Sequence, residues 1–190
     1  MFIRSERLFL RPAWPEDWEE LLAVIADEAI VRNLARAPWP YGPDHARDFA
    51  ARPQHPRLPN FFVSTAANGE LIGSVGLGRD DAEGSGGSTE LGYWIARAHW
   101  GNGYAPEAAR AVLRLARTLG HRRVVAGHFV DNPASGRVLA KVGFRPTGKV
   151  VPRFSLGRGH EVESVEYATD LGAASDCDGA GDTVAAMRAA

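Results

Sequence analysis

The segment Leu91–Ala109, LGYWIARAHWGNGYAPEAA, constrains the fold of this chain more than any other. Its aromatic and β-branched start predicts a strand that ends near Ala96, and a helix is predicted to begin at Ala105–Pro106. The first N–H groups of a helix lack backbone partners and carry about half a positive charge, so they favour a phosphate group. Gly101 and Gly103 in the intervening loop would let the backbone approach such a ligand closely. The segment predicts a phosphate-binding loop, although a glycine pair that serves turn geometry alone is an open alternative.

The rest of the chain alternates strand-like and helix-like stretches, which predicts a mixed-sheet α/β domain. Asn68-Gly69 lies between two apolar runs and is a strong β-hairpin signal. Seven strands are predicted, at residues 7–11, 61–66, 71–77, 89–96, 124–130, 150–156 and 162–170. Helices are predicted from Pro15, near Asp44–Ala51, over Pro106–Leu119 and over Pro133–Val142. Asn132 is the expected N-cap of the last helix and Gly143 lies just beyond its end.

A length of 190 residues predicts one domain, because a single core can serve ~250 residues. Residues 172–190 are rich in Gly, Ala, Ser and Asp and contain few large apolar side chains. We therefore expect a domain over residues 1–171 followed by a loose tail, with a short helix over Thr183–Ala190 as the alternative.

Composition excludes several classes of protein. The net charge is −1, from 22 basic and 23 acidic residues, whereas generic nucleic-acid binders carry a basic surplus. The single cysteine, Cys177, permits no internal disulfide and no cysteine-based zinc site. No apolar run approaches the ~20 residues that span a bilayer, and the N-terminus has no signal-peptide core, so a cytoplasmic location is expected.

Known nucleotide and metal motifs do not fit the sequence. The Walker-type pattern G-x-x-x-x-G-K-[ST] is absent, and Pro106 interrupts G-x-G-x-x-G. His160-Glu161 has no second histidine three residues later, and the six histidines show no paired spacing. We expect no metal site.

Two further motifs follow the glycine loop at fixed spacing. Asn132-Pro133-Ala134-Ser135 forms N-x-x-S, and Lys141-Val142-Gly143-Phe144 forms K-x-G-F. With W-G-N-G-Y-A-P-E-A, the opening S-E-R-L-F-L-R-P and the strand E-L-G-Y-W-I, they resemble the GNAT superfamily of acyl-CoA-dependent N-acetyltransferases over residues 5–171. The similarity is greatest to the branch that includes the ribosomal-protein N-terminal acetyltransferases. It implies an α/β (α+β) fold with a mixed, mostly antiparallel seven-stranded sheet, flanked by helices and split between strands 4 and 5.

The resemblance implies that acetyl-CoA binds in this split. The pantetheine arm would pair with the backbone of Trp94, Ile95 and Ala96 and contact Asn132. The pyrophosphate would bind the loop residues, which are Gly101, Asn102, Gly103, Tyr104 and Ala105. The superfamily motif carries Gln or Arg where this sequence has Trp100, so no side-chain role is expected at that position.

Two residues are candidates for proton transfer. Glu90 is the candidate base, because it shares a strand face with Gly92 and Trp94 near the predicted ligand; an exposed glutamate at a strand start is the alternative. The resemblance makes Ser135 a candidate acid that protonates the departing CoA thiolate, against a solvated helix serine. Trp39 and Tyr41, in an irregular segment, are the candidate acceptor-site residues.

An amine must be neutral to attack the thioester. At pH 7 this costs about 1 kcal/mol for an α-amine of pKa ~7.8 and about 4.6 kcal/mol for a lysine of pKa ~10.4. We therefore expect acetyl transfer to a primary amine, either a protein N-terminus or a small molecule. Alternatives are another acyl-CoA, an antibiotic or polyamine acceptor, a non-catalytic acyl-CoA sensor, and a ribosome- or RNA-docking module that uses the arginines at 32, 36, 47, 52 and 57. A homodimer is implied by the branch.

Overall fold

The computed structural model describes residues 1–80 and 88–172. The strands of these residues are β1 Ile3–Arg4, β2 Leu8–Arg11, β3 Asn60–Thr65, β4 Leu71–Arg79, β5 Thr89–Ile95, β6 Arg123–Phe129, β7 Arg145–Ser155 and β8 His160–Asp170. The α-helices are α1 Trp18–Ile25, α2 Glu28–Val31, α3 Pro43–Ala50, α4 Tyr104–Thr118 and α5 Pro133–Lys141, and two 3₁₀ turns span Pro15–Asp17 and Arg97–His99.

The eight strands of the described residues form one sheet in the order β1-β2-β3-β4-β5-β6-β8-β7. Neighbouring strands are antiparallel except β5 and β6, which run parallel. The predicted mixed and mostly antiparallel sheet is confirmed. The eighth strand is Ile3–Arg4, and two residues are too few to show the alternation from which a strand is predicted.

Local signals in the sequence correspond to the observed turns and helix ends. The Asn68-Gly69 turn joins β3 to the antiparallel β4, and Gly69 has a φ of 76°. Gly120 and Gly143 follow α4 and α5 with positive φ, as expected for glycine after a helix end. Pro15 begins a 3₁₀ turn that leads directly into α1.

The strand predicted at residues 150–156 begins five residues earlier, at Arg145. Its pairing with β8 shifts register between Pro146 and Val150, and Gly148 there has a φ of 84°. Because proline and glycine interrupt the strand pattern, the sequence at this point resembles a loop, although tertiary pairing extends the strand through it.

The core lies on both faces of the sheet. One apolar cluster joins Leu91 of β5 to Ala108 and Val112 of α4. The other joins Trp94 of β5 to Leu21 of α1 and to α2 and α3. Since successive strand residues point to opposite faces, Glu90 and Trp94 face the helices α1–α3, and Leu91 and Tyr93 face α4.

The predicted tail, with Cys177 and the alternative helix over Thr183–Ala190, lies outside the described residues apart from Gly172. In the part of the chain that the structure describes, none of the helices has both the length and the apolar character needed to cross a membrane.

Candidate functional site

The two parallel strands at the centre of the sheet separate after a short stretch of pairing. β5 and β6 are paired at Thr89 with Val124 and at Glu90 with Val125, and their pairing ends there. β6 then continues alongside β8. The predicted split between strands 4 and 5, which are β5 and β6 here, is therefore confirmed.

The end of β5 presents backbone groups to this split. The N–H of Ala96 donates to the carbonyl of Ile72 on β4, at 2.7 Å. Because backbone polar groups alternate in direction along a strand, the N–H and C=O of Ile95 point the other way, toward β6. A ligand segment that lies between β5 and β6 would meet these groups as a neighbouring strand does. Of the predicted pantetheine residues Trp94, Ile95 and Ala96, Ile95 therefore directs its backbone groups into the split, whereas the Ala96 N–H is bonded to β4.

The glycine loop follows directly. Gly101 and Gly103 have φ values of 79° and 77°, a left-handed conformation that strains other residues. A Cβ at Gly101 would meet no atom within 4 Å, so conformation rather than crowding calls for glycine. The N–H of Glu107 donates to the carbonyl of Gly103 at 3.3 Å, so the N–H groups of Tyr104 and Ala105 lie before the backbone ladder of α4. The helix begins at Tyr104, slightly earlier than predicted.

Trp100 connects the loop to the strand. Its indole Nε1–H donates to the carbonyl of Ile95 at 2.6 Å, although 47% of the residue is exposed. The Asn102 side chain donates to the carbonyls of His99 and Trp100, at 3.2 and 3.3 Å. No part in phosphate binding was expected of the side chain at position 100, and in the structure its indole holds the loop against the end of β5.

Asn132 and Ser135 meet at the start of α5. The Asn132 Oδ1 accepts a hydrogen bond from the Ser135 N–H at 3.3 Å, so the predicted N-cap is confirmed. The Tyr93 hydroxyl reaches the same residue, 2.8 Å from Ser135 Oγ and 3.1 Å from its carbonyl oxygen, to which it donates. Burial raises the pKa of Tyr93 to about 12, against the opposing effect of the Ser135 hydrogen bond. Tyr93 therefore keeps its proton at neutral pH.

Glu90 lies in an ion cluster on the face of α1–α3. Arg153 of β7 contacts Glu90 through Nη1, and Asp80 through Nη2 at 3.1 Å. Arg36 approaches Glu90 at 3.6 Å. Burial lowers the pKa of Arg153, but the attraction of Glu90 and Asp80 outweighs it, and the net shift is upward. The Glu90 side chain is 14% exposed, so it is not the exposed glutamate at a strand start that was the alternative to a catalytic base.

The candidate acceptor residues have different surroundings. Trp39 is 40% exposed and its ring is available to a ligand. Tyr41 is buried in the apolar cluster of α1–α3, its hydroxyl donates to the carbonyl of His45 at 3.2 Å, and burial raises its pKa to about 12. Tyr41 is therefore a packing residue in this structure, which argues against its predicted contact with the acceptor. Trp18 is half-buried against the guanidinium of Arg47, at 4.0 Å.

A metal site would need a cluster of ligating side chains. Among residues 1–80 and 88–172, no three His, Cys, Asp or Glu side chains are grouped so that they could hold a metal ion.

Comparison with known proteins shows the family of this chain. A family model described as an acetyltransferase (GNAT) domain matches residues 7–145, a range that contains the split, the glycine loop and the cap of α5. The chain belongs to the GNAT acetyltransferase family. As a GNAT member it is an acyltransferase.

Relatives agree with this assignment. The uncharacterized N-acetyltransferase YoaA of Bacillus subtilis (strain 168) is 29% identical over 160 residues, which are 77% of this GNAT chain and 84% of YoaA. A GNAT-family acetyltransferase from Bacillus anthracis matches the fold with a TM-score of 0.75 at 24% identity, over 90% of this chain and 99% of that one. RimL, a ribosomal L7/L12 alpha-N-protein acetyltransferase solved in complex with coenzyme A, matches the fold with a TM-score of 0.72 at 21% identity. The match covers 90% of this chain and 98% of RimL.

Four side chains of this GNAT site were missed by sequence reasoning. Tyr93 lies within a strand that the sequence identified, but its partner Ser135 is 42 residues away. Glu107 lies in the P-E-A motif and is bound by Arg7 of the opening motif, 100 residues away. The sequence motifs that contain Tyr93, Glu107 and Arg7 were recognised, but no role was assigned to these three side chains. Arg153 lies in a weakly patterned segment and had no signal.

Proposed function

We propose that this GNAT member is an acetyl-CoA-dependent N-acetyltransferase that moves an acetyl group to a primary amine by direct attack in a ternary complex. The observation that carries the proposal is the split between β5 and β6 beside a glycine loop that opens α4. The coenzyme A complex of RimL, which shares this fold, supports the choice of donor.

The proposed donor site uses the backbone more than the side chains. The pantetheine arm would lie along Trp94, Ile95 and Ala96, with Asn132 beside it at the start of α5. The pyrophosphate would accept hydrogen bonds from the N–H groups of the loop, which are those of Gly101, Asn102, Gly103, Tyr104 and Ala105. The positive φ of both glycines and the unpaired first turn of α4 fit an anion there.

The chemistry needs two proton movements. The nitrogen of a neutral amine attacks the thioester carbonyl carbon, and the tetrahedral intermediate then breaks its C–S bond to release CoA as a thiolate. The amine proton would pass through water to Glu90, and the thiolate would take the hydroxyl proton of Ser135. Tyr93 lies 2.8 Å from Ser135 Oγ and retains its own proton, so it would hold the Ser135 hydroxyl in place while solvent water restores the proton that Ser135 gives up.

The cost of deprotonation favours an acceptor of low pKa. At pH 7 an α-amine loses its proton at a cost of about 1 kcal/mol, whereas a lysine side chain needs about 4.6 kcal/mol. A protein or peptide N-terminus is therefore the favoured acceptor.

A polyamine is less favoured as acceptor. Two carboxylates on this face of the split, Asp80 and Glu90, are both bound by Arg153. A multiply charged cation would have to compete with that guanidinium for them.

A panel of amines tests the proposal. Release of CoA thiol is measured with acetyl-CoA and peptides with free N-termini, N-blocked lysine peptides, polyamines and aminoglycosides, alongside calorimetry with CoA. We expect CoA binding and thiol release with the free N-termini. In the same panel, Glu90→Gln should lower turnover and leave CoA affinity unchanged. CoA binding without thiol release for any amine would instead indicate an acyl-CoA sensor, and absence of CoA binding would contradict the proposal.

A further inference from the structure

Arg7, before β2, is bound to Glu107 in the first turn of α4. The Glu107 carboxylate accepts from the Arg7 backbone N–H at 2.8 Å, from its Nε at 2.8 Å and from the Ser5 hydroxyl at 2.7 Å. Arg7 Nη2 lies 2.8 Å from the same carboxylate. The Glu107 side chain is 14% exposed and that of Arg7 46%. Glu107 therefore fixes the start of the chain, and the Arg7 guanidinium with it, to the helix.

Burial raises the pKa of Glu107, but the hydrogen bonds from Arg7 and Ser5 more than reverse this, and the net pKa lies below its usual range. Glu107 is thus an anion at neutral pH, and its charge is matched by that of Arg7. A bidentate pair of this kind has a defined geometry, which a single point charge does not give.

The third guanidinium nitrogen of Arg7 reaches the glycine loop. Nη1 donates to the carbonyl oxygen of Asn102 at 3.0 Å. The guanidinium also lies over the Tyr104 ring, 4.8 Å from its centroid. In a planar trans peptide the C=O and the following N–H point in opposite directions. When Arg7 holds the Asn102 carbonyl toward itself, it therefore turns the N–H of Gly103 away from the protein side of the loop.

We propose that Arg7, held by Glu107, is a positioning residue that sets the peptide between Asn102 and Gly103 so that its N–H faces the diphosphate of the donor. The proposal rests on the proposed function for the identity of that ligand. Arg7 acts through the loop, since its guanidinium is bound to Glu107 by Nε and Nη2 and to the Asn102 carbonyl by Nη1.

Kinetics with two donors test this inference. Arg7→Lys keeps the charge but cannot bind Glu107 and Asn102 together, and Glu107→Gln releases the guanidinium. We expect the KM for acetyl-CoA to rise about tenfold in both variants, the loss expected when a hydrogen bond to a charged group is removed, with kcat changed by less than about twofold. S-acetylpantetheine lacks the diphosphate, so its KM should stay the same. An equal rise in KM for both donors would indicate a general structural role and overturn the proposal.

Hydrogen exchange of the ligand-free protein gives a readout that does not depend on CoA. The amide of Glu107, whose N–H is bonded to the carbonyl of Gly103 in the loop, should exchange faster in Arg7→Lys than in the wild-type protein. Arg123→Ala is the matched control, because Arg123 is exposed, paired with Asp170 at 3.5 Å and located at the start of β6, where β5 is still paired. It should change neither exchange nor either KM. If the wild-type protein binds no CoA, the proposed function fails, while unchanged exchange in Arg7→Lys would refute the positioning role by itself.

Discussion

At the scale of single residues, Trp100 shows how one side chain can take a role that the local sequence does not suggest. Its position in the motif is filled by Gln or Arg in the superfamily, so an aromatic residue there indicated the loss of a side-chain function. In the structure the indole N–H is bound to the carbonyl of Ile95, which faces the split. Ile95 ends the proposed pantetheine strand and Trp100 begins the proposed phosphate loop, with the 3₁₀ turn Arg97–His99 between them. The hydrogen bond therefore links the strand to the loop across this turn.

Trp100→Phe tests this link. The substitution keeps an aromatic ring and removes the donor, so we expect a loss of about 1 kcal/mol in the free energy of unfolding and a CoA affinity lower by about fivefold. Urea denaturation and calorimetry measure the two effects. Trp14→Phe is the matched control, since Trp14 is also 47% exposed and no hydrogen bond from its indole nitrogen is seen within residues 1–80 and 88–172. Equal CoA affinity of Trp100→Phe and wild-type protein would contradict the link.

At the scale of the element, α5 has one residue with two candidate tasks. Asn132 caps the helix through Ser135, and this cap is sufficient to explain why the helix begins at Pro133. Contact with pantetheine is a separate role that the cap does not require. Substitutions that separate the two tasks are available, because serine caps a helix nearly as well as asparagine but is shorter.

Asn132→Ser should keep the free energy of unfolding within a few tenths of a kcal/mol, and Asn132→Ala should lower it by about 1 kcal/mol. If Asn132 also binds pantetheine, both variants weaken CoA binding to a similar extent. Thermal or urea denaturation gives the first quantity and calorimetry with CoA the second. Wild-type CoA affinity in Asn132→Ser would show that capping is the whole role of this residue.

At the scale of the whole molecule, Asp131 joins three distant parts of the chain. Arg158, in the turn between β7 and β8, binds its carboxylate with two nitrogens at 2.9 Å each, and Arg32 after α2 binds it at 3.0 Å. The Arg158 Nε also donates to the Arg32 carbonyl at 2.7 Å. The hairpin turn of β7 and β8 is thereby held against α2.

The stability contributed by this junction should depend on pH. Hydrogen bonds from Arg158 hold the pKa of Asp131 below its usual range, against an opposing effect of burial, and the charges of Arg158 and Arg32 add to the shift. A folded-state pKa below the unfolded value of ~3.9 stabilises the fold above that pH, and the stabilisation disappears as pH falls through the folded-state pKa. Compared with Asp131→Asn, the wild-type protein should be more stable at pH 7 by about 1 kcal/mol or less.

This difference should shrink below about pH 4, and urea denaturation over a range of pH measures it. Asp44→Asn is the control, since the Asp44 carboxylate is 93% exposed and pairs with Arg47 of its own helix, at 2.9 Å. A difference for Asp131→Asn that stays constant down to pH 3 would contradict the assignment.

Features that depend on local rules were predictable from the sequence. The hairpin at Asn68-Gly69 and the cap at Asn132 depend on a few neighbouring residues, and each was expected from those residues alone. The order of strands and helices followed from the same signals, and the paired motifs placed the split and the loop. The strand start at Arg145 was missed, because proline and glycine there hide a pairing that only β8 provides.

The tertiary structure alone decided which side chains meet at the site. Three contacting pairs lie far apart along the chain. The separations are 100 residues for Arg7 and Glu107, 63 residues for Glu90 and Arg153, and 42 residues for Tyr93 and Ser135. Such pairs have no period along the chain, since their contact depends on the order of strands in the sheet and on which face each residue occupies. Single charges and hydroxyls carry no local pattern, so the partners of the proposed base, acid and phosphate loop become visible only when the sheet brings them together.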